Sequence, residues 1–259
     1  MPVNRDAKLM TMMTVRATND DDDGRLAAIA AEGGSADADP AYFGFVRRTG
    51  SLLAAVDADG VVHGFGGAVP VGGTVVMVSD LFVAAAARGQ GVGGLLLDAL
   101  LRGRPLAMTG SSAHPAALPL YRRAGLQPRG TVRYLRGAAM GGGALLPTTA
   151  VWAHGRADLV AHFAARGAVV AADAVFEKSG AAGAPAVIRR VIDSGTAVLA
   201  ALLRGLPAGV AVECCVPSTH PASAWCDRHG FVQFDEDLWC ATNGVQADHR
   251  LAVVHPGLW

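Results

Sequence analysis

The sequence predicts an α/β fold of the mixed α+β kind, with mostly antiparallel central sheets flanked by helices. Three observations indicate this class. Short alternating apolar segments separated by glycine turns predict antiparallel strands, and alanine- and leucine-rich segments between them predict helices. Several segments of the first half also recur in the second half. Of the 259 residues 51% are hydrophobic and 17% charged, a composition that excludes a disordered chain.

The first half is predicted to form a strand, two helices and a meander, followed by alternating helices and strands. Asp57–Gly60 is a hairpin turn within the meander. The acidic run Asp20–Asp23 precedes the first helix, where it complements the positive helix end; metal binding is the alternative for this run. The predicted strands are 13–18, 51–56, 61–69, 74–83, 106–109 and 129–136 paired with 147–153, and the predicted helices are 25–32, 40–48, 93–101 and 115–124.

The second half repeats part of the first. Three segments have counterparts in the same order: 99–105 with 201–207, 113–116 with 219–222, and 121–126 with 226–231. A strand pair, 233–241 with 250–255, is predicted to close this half. We therefore predict two tandem domains, 13–154 and 155–259, of which the second is a shortened copy without the opening strand and helix.

The charge pattern narrows the class of ligand. Twenty-two Lys and Arg balance 22 Asp and Glu, and a formal net charge of zero argues against nucleic acid as a partner. Eight of the basic residues, all arginines, lie within 99–157, a stretch without any acidic residue. Some of these arginines are therefore candidates for contacting an anionic ligand, although most are expected to be solvated or ion-paired.

Membrane, secretion and metal signals are weak. No segment has the ~18 consecutive apolar residues of a membrane helix, and the first 13 residues lack the apolar region of a secretory signal. The four cysteines do not predict a disulfide framework, so we expect a cytoplasmic protein without a membrane partner. We expect no metal, because the spacing of the nearby cysteines and histidines fits no standard zinc pattern: Cys214, Cys215, His220, Cys226 and His229.

The most informative segment is Asp80–Gly94, in which a strand ends and a helix begins at glycines. Helix N-termini present unpaired N–H groups and a positive dipole end, and glycine lets that backbone approach an anion. The segment predicts a phosphate or pyrophosphate cradle; a plain glycine-rich turn is the alternative. A dinucleotide-binding oxidoreductase is disfavoured because no acidic residue lies between 99 and 157, and a P-loop because no Gly-Lys-Ser/Thr follows.

Two motifs resemble those of the GCN5-related N-acetyltransferase (GNAT) superfamily. Arg-x-x-Gly-x-Gly is present as Arg88–Gly93, and Asn-x-x-Ala-x-x-Leu-Tyr-x-x-x-Gly-Phe is present as His114–Leu126, with histidine in place of the asparagine. The resemblance covers about residues 14–153. It implies direct transfer of an acetyl group from acetyl-CoA (coenzyme A) to an amine of a small molecule or peptide. A non-catalytic acetyl-CoA-binding or regulatory protein is the alternative.

The resemblance also implies roles for single residues. Tyr121 is the implied general acid for the leaving thiolate, Asp80 the candidate general base, directly or through water, and a backbone N–H near Val83 the oxyanion donor. His63 and His114 are lesser candidates for the base. The implied cofactor-binding residues are Leu81, Phe82, Val83, Arg88, Gly89, Gln90, Gly91, Val92, Gly93, Gly94, His114, Ala117 and Tyr121.

Two further segments concern the acceptor side. Aromatic residues 42, 43 and 45 fall where the early helices of this superfamily often wall the acceptor site, although such spacing is more often core. The second half has Asp193–Ala197 in place of the glycine loop and Cys226 in place of Tyr121. We expect this copy to bind no cofactor, to cover the sheet edge of the first half and to shape the acceptor cleft. The chain is expected to be a monomer or homodimer.

Overall fold

The computed structural model describes residues 13–35, 40–112, 114–145, 157–171, 174–177 and 185–254. The chain folds as two compact units. The first comprises Met1–Thr109, Ala116–Gln127 and Ala241–Val245, and the second comprises Gly110–Pro115, Pro128–Cys240 and Gln246–Trp259. Within the described ranges, no helix is both long enough and apolar enough to span a membrane.

The first unit contains an antiparallel meander with one parallel strand added to it. Strands β1 to β4 pair antiparallel in chain order, and β5 pairs parallel with β4. The strands are β1 (Thr14–Ala17), β2 (Ser51–Val56), β3 (Val62–Gly72), β4 (Val75–Val83) and β5 (Leu106–Ser111), and the helices are α1 (Asp23–Glu32), α2 (Pro40–Thr49), α3 (Val92–Leu101) and α4 (Ala117–Arg123). The predicted mixed, mostly antiparallel fold is confirmed.

Glycines on β3 let helices approach both faces of this sheet. A Cβ at Gly64 would lie 3.1 Å from Val92 of α3, and a Cβ at Gly67 would lie 3.2 Å from Val46 of α2. On the α2 face, the fully buried Phe43 packs edge-on against Phe65 with ring centroids 5.6 Å apart. Phe45 is also buried. These two phenylalanines are therefore core residues and do not wall a pocket, whereas Tyr42 is only half-buried.

The acidic run before α1 forms ion pairs. Asp22 accepts two hydrogen bonds of 2.8 Å from Arg16, and this guanidinium lowers the pKa of the carboxyl. Asp20 and Asp23 pair with Arg47 of α2 at 2.7 and 2.6 Å. Across the part of the chain that the structure describes, no group of three or more His, Cys, Asp or Glu is arranged to hold a metal ion.

The second unit repeats the alternation of strands and helices. Strands β7, β8 and β9 pair antiparallel, and β10 pairs parallel with β9. The strands are β6 (Gln127–Ala138), β7 (Val169–Ala171), β8 (Ala174–Glu177), β9 (Ala186–Ile192), β10 (Ala211–Pro217), β11 (Val232–Ala241) and β12 (Leu251–Val254), and the helices are α5 (Ala157–Ala165), α6 (Ala197–Gly205) and α7 (Pro221–Arg228). The order β9–α6–β10–α7–β11 thus parallels β4–α3–β5–α4–β6.

Two strand pairings differ from those expected. β6 pairs antiparallel with β10, with Leu135 opposite Cys214, so a strand from the first half of the sequence belongs to the sheet of the second unit. Its expected partner, 147–153, lies outside the described residues. β12 was expected beside β11 but pairs with β9. All four residues of β12 are buried, so this continuous apolar strand lies within the core of the second unit.

Candidate active site

Asp80 lies at a β-bulge on β4. Gly67 stands opposite Asp80 and Ala68 opposite Val78, so Ser79 is an extra residue in β4. Neighbouring side chains on a regular strand point to opposite faces, but here Ser79 Oγ donates a 2.7 Å hydrogen bond to Asp80 Oδ2. A Cβ at position 67 would lie only 2.8 Å from that oxygen. The bulge and the glycine together make room for the carboxyl.

A second hydroxyl reaches the same carboxylate oxygen. Tyr42 of α2 donates to Asp80 Oδ2 at 2.6 Å. Asp80 is 9% exposed, and burial raises the pKa of its carboxyl, while the bonds from Tyr42 and Ser79 act in the opposite direction. A carboxyl with a raised pKa gains and loses its proton at a pH closer to neutral, which suits a general base.

The sequence identified Asp80 but not its two donors. An aspartate inside an apolar strand requires a buried hydrogen-bond donor, and Tyr42 was the one hydroxyl among the aromatic residues of α2. That was the available signal for Tyr42. The contact of Ser79 depends on the bulge, which no local pattern indicated.

Among the described residues, β4 pairs with β5 only as far as Val78. The pairing of β4 with β5 joins Val75–Val78 to Leu106–Thr109, and Thr109 Oγ1 donates to the Val78 carbonyl at 2.9 Å. On the other side, the Ala84 N–H donates to the His63 carbonyl at 2.9 Å. The alternation of an antiparallel ladder then directs the N–H and C=O groups of residues 81 and 83 away from β3. An extended, amide-bearing ligand could pair with these groups as an added strand.

The side chains of this edge are committed to packing. Leu81 and Val83 pack with the cluster that contains Val92 and Leu96 of α3. Phe82 points to the opposite face, where it stacks on Phe65 with ring centroids 5.4 Å apart. β4 therefore offers a ligand its backbone here.

Two glycines shape the loop that enters α3. Gly89 and Gly91 have φ values of +79° and +84°, in the left-handed region that favours glycine. Gly91 is the N-cap of α3, and no side chain caps this helix. The first N–H groups of a helix have no intrahelical acceptor, so residues 91–94 present donors and a positive dipole end. This end of the helix fits an anion such as the pyrophosphate of acetyl-CoA.

One buried polar atom in the loop lacks a hydrogen-bond partner within the described ranges, but it is an acceptor and therefore does not itself bind an anion. Gln90 Oε1 is buried and has no hydrogen-bond partner among the described residues, while Gln90 Nε2 donates to the Ala86 carbonyl at 3.0 Å. A buried acceptor without a donor is rare in folded proteins. The loop is therefore incomplete in its hydrogen bonding without a ligand or water.

Arg88 fixes the loop through its side chain. Its Nε donates to the Val83 carbonyl at 3.1 Å and its Nη2 to the Glu32 carbonyl at 3.2 Å. Its own N–H bonds the Ala85 carbonyl at 3.4 Å within the preceding turn. Arg88 thus connects the loop to β4 and α1, and the free donors lie further along, at residues 91–94.

Tyr121 lies on the helix that packs against the start of α3. A Cβ at Gly93 would lie 3.3 Å from Leu120 Cδ2 and 3.7 Å from Val83 Cγ2. This contact brings α4 close to both the glycine loop and the end of β4. Tyr121 follows directly and is 7% exposed. Ala117, the first residue of α4, is half-buried.

The two histidines proposed as lesser bases are not bonded to Asp80. His63 Nε2 lies 2.7 Å from Asp57 Oδ2 at the β2–β3 hairpin. His114 is exposed and belongs to the second unit, and its N–H donates to Ser112 Oγ at 3.4 Å. The other predicted site residues, from Asp80 to Gly94 with Ala117 and Tyr121, all belong to the first unit.

Comparison with known proteins agrees with this geometry. Residues 48–128 match the family model described as an acetyltransferase (GNAT) domain. This part of the chain is therefore similar in sequence to GNAT acetyltransferase domains. The match includes Asp80, the glycine loop and Tyr121. No curated protein matches the sequence of the chain.

Solved structures share the fold over nearly the whole chain. A putative acetyltransferase from Pyrococcus horikoshii is 14% identical, with a TM-score of 0.74 over 95% of each chain. A GCN5-related N-acetyltransferase from Sphaerobacter thermophilus is also 14% identical, with a TM-score of 0.55 over 94% of this chain and 98% of that one. One from Kribbella flavida is 19% identical, with a TM-score of 0.52 over 88% of this chain and 71% of that one. At these identities the likeness concerns the fold.

Proposed function

We propose that the chain transfers an acetyl group directly from acetyl-CoA to an amine. The observation that carries the proposal is the juxtaposition, in the first unit, of an uncapped α3 N-terminus and the β4 edge beyond Val78, next to a buried carboxyl. An anionic pyrophosphate and an amide-bearing arm are the two parts of acetyl-CoA that such a surface suits.

The proposed donor site uses mainly backbone groups. The N–H groups of residues 91–94 would hold the pyrophosphate. The N–H and C=O of Leu81 would pair with the pantetheine arm, whereas the Val83 carbonyl already accepts from Arg88. When bound, acetyl-CoA supplies an activated acetyl group. The Val83 N–H is the proposed donor to the developing oxyanion.

Proton transfer is assigned to two side chains. Tyr121 would give its phenolic proton to the leaving sulfur, because a phenol O–H group can serve as a general acid. Asp80 would accept the proton of the attacking amine, because its buried carboxyl has a raised pKa. No residue forms a covalent bond to the acetyl group in this scheme.

The second unit is proposed to bind no acetyl-CoA. At the start of α6, Asp193 accepts hydrogen bonds of 2.8 Å from the N–H groups of Gly195 and Val198. The carboxylate occupies the position that a pyrophosphate would take in the first unit. Cys226, at the position equivalent to Tyr121, is fully buried next to Cys214, and this contact raises the pKa of the Cys214 thiol. We therefore retain the proposal of a degenerate tandem copy.

The acceptor is proposed to be a small-molecule or peptide amine. The experiment that tests the function measures release of free thiol from acetyl-CoA by the purified chain over a panel of amines, amino acids and peptides. Binding of acetyl-CoA is measured in parallel by titration calorimetry. Turnover of at least one amine supports the enzyme. Binding of acetyl-CoA without turnover of any amine supports the non-catalytic alternative. Thermal stabilisation of the chain by NAD but not by acetyl-CoA would contradict both.

A further inference from the structure

One oxygen of the Asp80 carboxyl is occupied by two hydroxyl groups. The residue is 9% exposed, and the one carboxylate oxygen with identified partners, Oδ2, accepts from both Tyr42 and Ser79. Gly67 lies against the same oxygen from β3. An amine would have to displace these hydroxyl groups to contact Oδ2 directly. A hydroxyl that is already bonded to Oδ2 could instead connect this oxygen to the acceptor.

Tyr42 has the position required of that group. It is half-buried on α2, and its hydroxyl lies 2.6 Å from Asp80 Oδ2. A phenolic oxygen accepts one hydrogen bond while it donates another, so it can receive a proton on one side and release one on the other. Ser79 makes a similar bond at 2.7 Å, but it lies on β4 within the bulge.

Resting on the proposed acetyl transfer, we propose that Tyr42 is the proton conduit between the acceptor amine and Asp80. The acceptor ammonium gives a proton to the Tyr42 oxygen as the Tyr42 O–H proton moves to Asp80 Oδ2. One N–H bond and one tyrosine O–H bond break, and a new tyrosine O–H bond and a carboxyl O–H bond form. The amine becomes neutral and nucleophilic, and the carboxyl later returns its proton to solvent.

No other charged group competes for Asp80 among the described residues. The only identified interactions that shift its pKa, besides burial, are those with Tyr42 and Ser79. Three titratable groups on neighbouring elements are engaged elsewhere: Arg47 of α2 with Asp20 and Asp23, Glu32 of α1 with the Ala85 N–H, and His63 of β3 with Asp57. The pH response of Asp80 should therefore report on Tyr42.

The test compares wild type with Tyr42→Phe in the full chain. With an amine that the wild type acetylates, kcat/KM at neutral pH should fall about 100-fold, the usual contribution of a positioned proton-transfer group. The dissociation constant of acetyl-CoA should stay within twofold. The ascending limb of the pH–rate profile should move to higher pH, because the lost hydrogen bond had lowered the pKa of Asp80.

A second readout does not depend on turnover. The carboxyl carbon of Asp80, assigned by its loss in Asp80→Asn, is titrated by nuclear magnetic resonance in the free protein. Tyr42→Phe should raise the midpoint of this titration. Tyr134→Phe is the matched control, because Tyr134 makes the same bond to Asp237 at 2.7 Å in the second unit. It should leave both the Asp80 midpoint and turnover unchanged.

The outcomes separate the two proposals. If the wild type binds acetyl-CoA but acetylates no amine, the proposed function is wrong and the conduit falls with it. If the wild type turns over and Tyr42→Phe moves the Asp80 midpoint without changing kcat/KM or the pH profile, the conduit alone is wrong. If the circular dichroism spectrum shows that Tyr42→Phe does not fold normally, Ser79→Ala is tested in its place. Ser79→Ala should raise the titration midpoint of Asp80 yet retain more than a tenth of wild-type turnover.

Discussion

The starts of α3 and α6 differ in how the first N–H groups of the helix are bonded. Each helix follows a strand that pairs parallel with the next one, and each leaves its first N–H groups without intrahelical acceptors. At α6 the chain supplies the acceptor itself, through Asp193. At α3 it supplies Gly91, which has no side chain to offer. The difference indicates where the molecule leaves a place for an external anion.

The segment after Asp193 is further fixed by a histidine. His220 Nδ1 accepts from the Ala222 N–H at 3.1 Å, so its Nε2 carries the hydrogen and donates to the Asp193 carbonyl at 2.8 Å. Burial lowers the pKa of His220, which keeps the ring neutral. One helix start is thus completed by its own side chains. The other has no capping side chain, so we expect a bound anion to stabilise it.

The largest expected effect comes from giving α3 a carboxylate like that of α6. Gly94→Asp should weaken acetyl-CoA binding about 100-fold, because a negative charge next to the pyrophosphate costs several kcal/mol at close range. The new side chain has space, since a Cβ there meets only Leu120, at 3.9 Å. Titration calorimetry measures the dissociation constant.

The control for this variant is Gly94→Asn, which has the same size without the charge. It should weaken binding less than fivefold. The aspartate should also raise the melting temperature of the free protein, because an acidic side chain stabilises the first turn of a helix. Equal losses of affinity in both variants would show that space, and not charge, governs this position.

The next effect concerns the difference between Tyr121 and Cys226. Tyr121→Phe should lower kcat about 30-fold, somewhat below the usual contribution of a general acid, because the leaving sulfur loses its positioned donor while water can still protonate it. Acetyl-CoA affinity should stay within twofold, as measured by calorimetry. Cys226→Ala in the second unit is the comparison and should leave kcat unchanged. Full activity of Tyr121→Phe would refute the assignment of the acid.

A smaller effect is expected from removing the internal carboxylate of the second unit. Asp193→Ala should lower the free energy of unfolding by about 1 kcal/mol, the usual contribution of a helix cap. Chemical denaturation measures this change. Calorimetry should still give one acetyl-CoA per chain with unchanged affinity. If this variant bound a second equivalent of acetyl-CoA that the wild type does not bind, the Asp193 carboxylate would be the group that blocks a second site.

The smallest effect compares the two tyrosine-bonded carboxyls, Asp80 and Asp237. Burial raises the pKa of both. A raised folded-state pKa means that the folded protein binds the proton more tightly, so stability falls as pH rises from the ordinary value, 3.8, through the raised one. Asp80→Asn keeps an acceptor for Tyr42 but no charge.

Asp80→Asn should therefore match the wild type in stability at low pH and exceed it increasingly as pH rises through that window. Thermal melts at several pH values measure the gap. Asp237→Asn should show a gap of the same sign but smaller, because Asp237 is less deeply buried than Asp80. A gap that narrows with rising pH would contradict the raised pKa of Asp80.

The sequence by itself determined most local elements of the first half and the place of the glycine loop. Apolar alternation located β2 and β4, and the strand–glycine–helix order located the start of α3 within one residue. Predicted ends differ where glycine conformations decide them: β3 continues to Gly72, and Gly73, at φ +54°, forms the turn. These features depend on residues near in sequence, which is why a local pattern predicts them.

Only the tertiary structure decided which distant groups meet. Tyr42 and Asp80 are 38 positions apart, and their bond depends on how α2 packs on β4 and on the bulge at Ser79. The pairing of β6 with β10 joins strands from both halves of the sequence. Such contacts are chosen by shape, burial and the need to pair buried polar groups across the whole fold. A local pattern carries none of that information, so the sequence indicated a candidate base but not the hydroxyl that holds it.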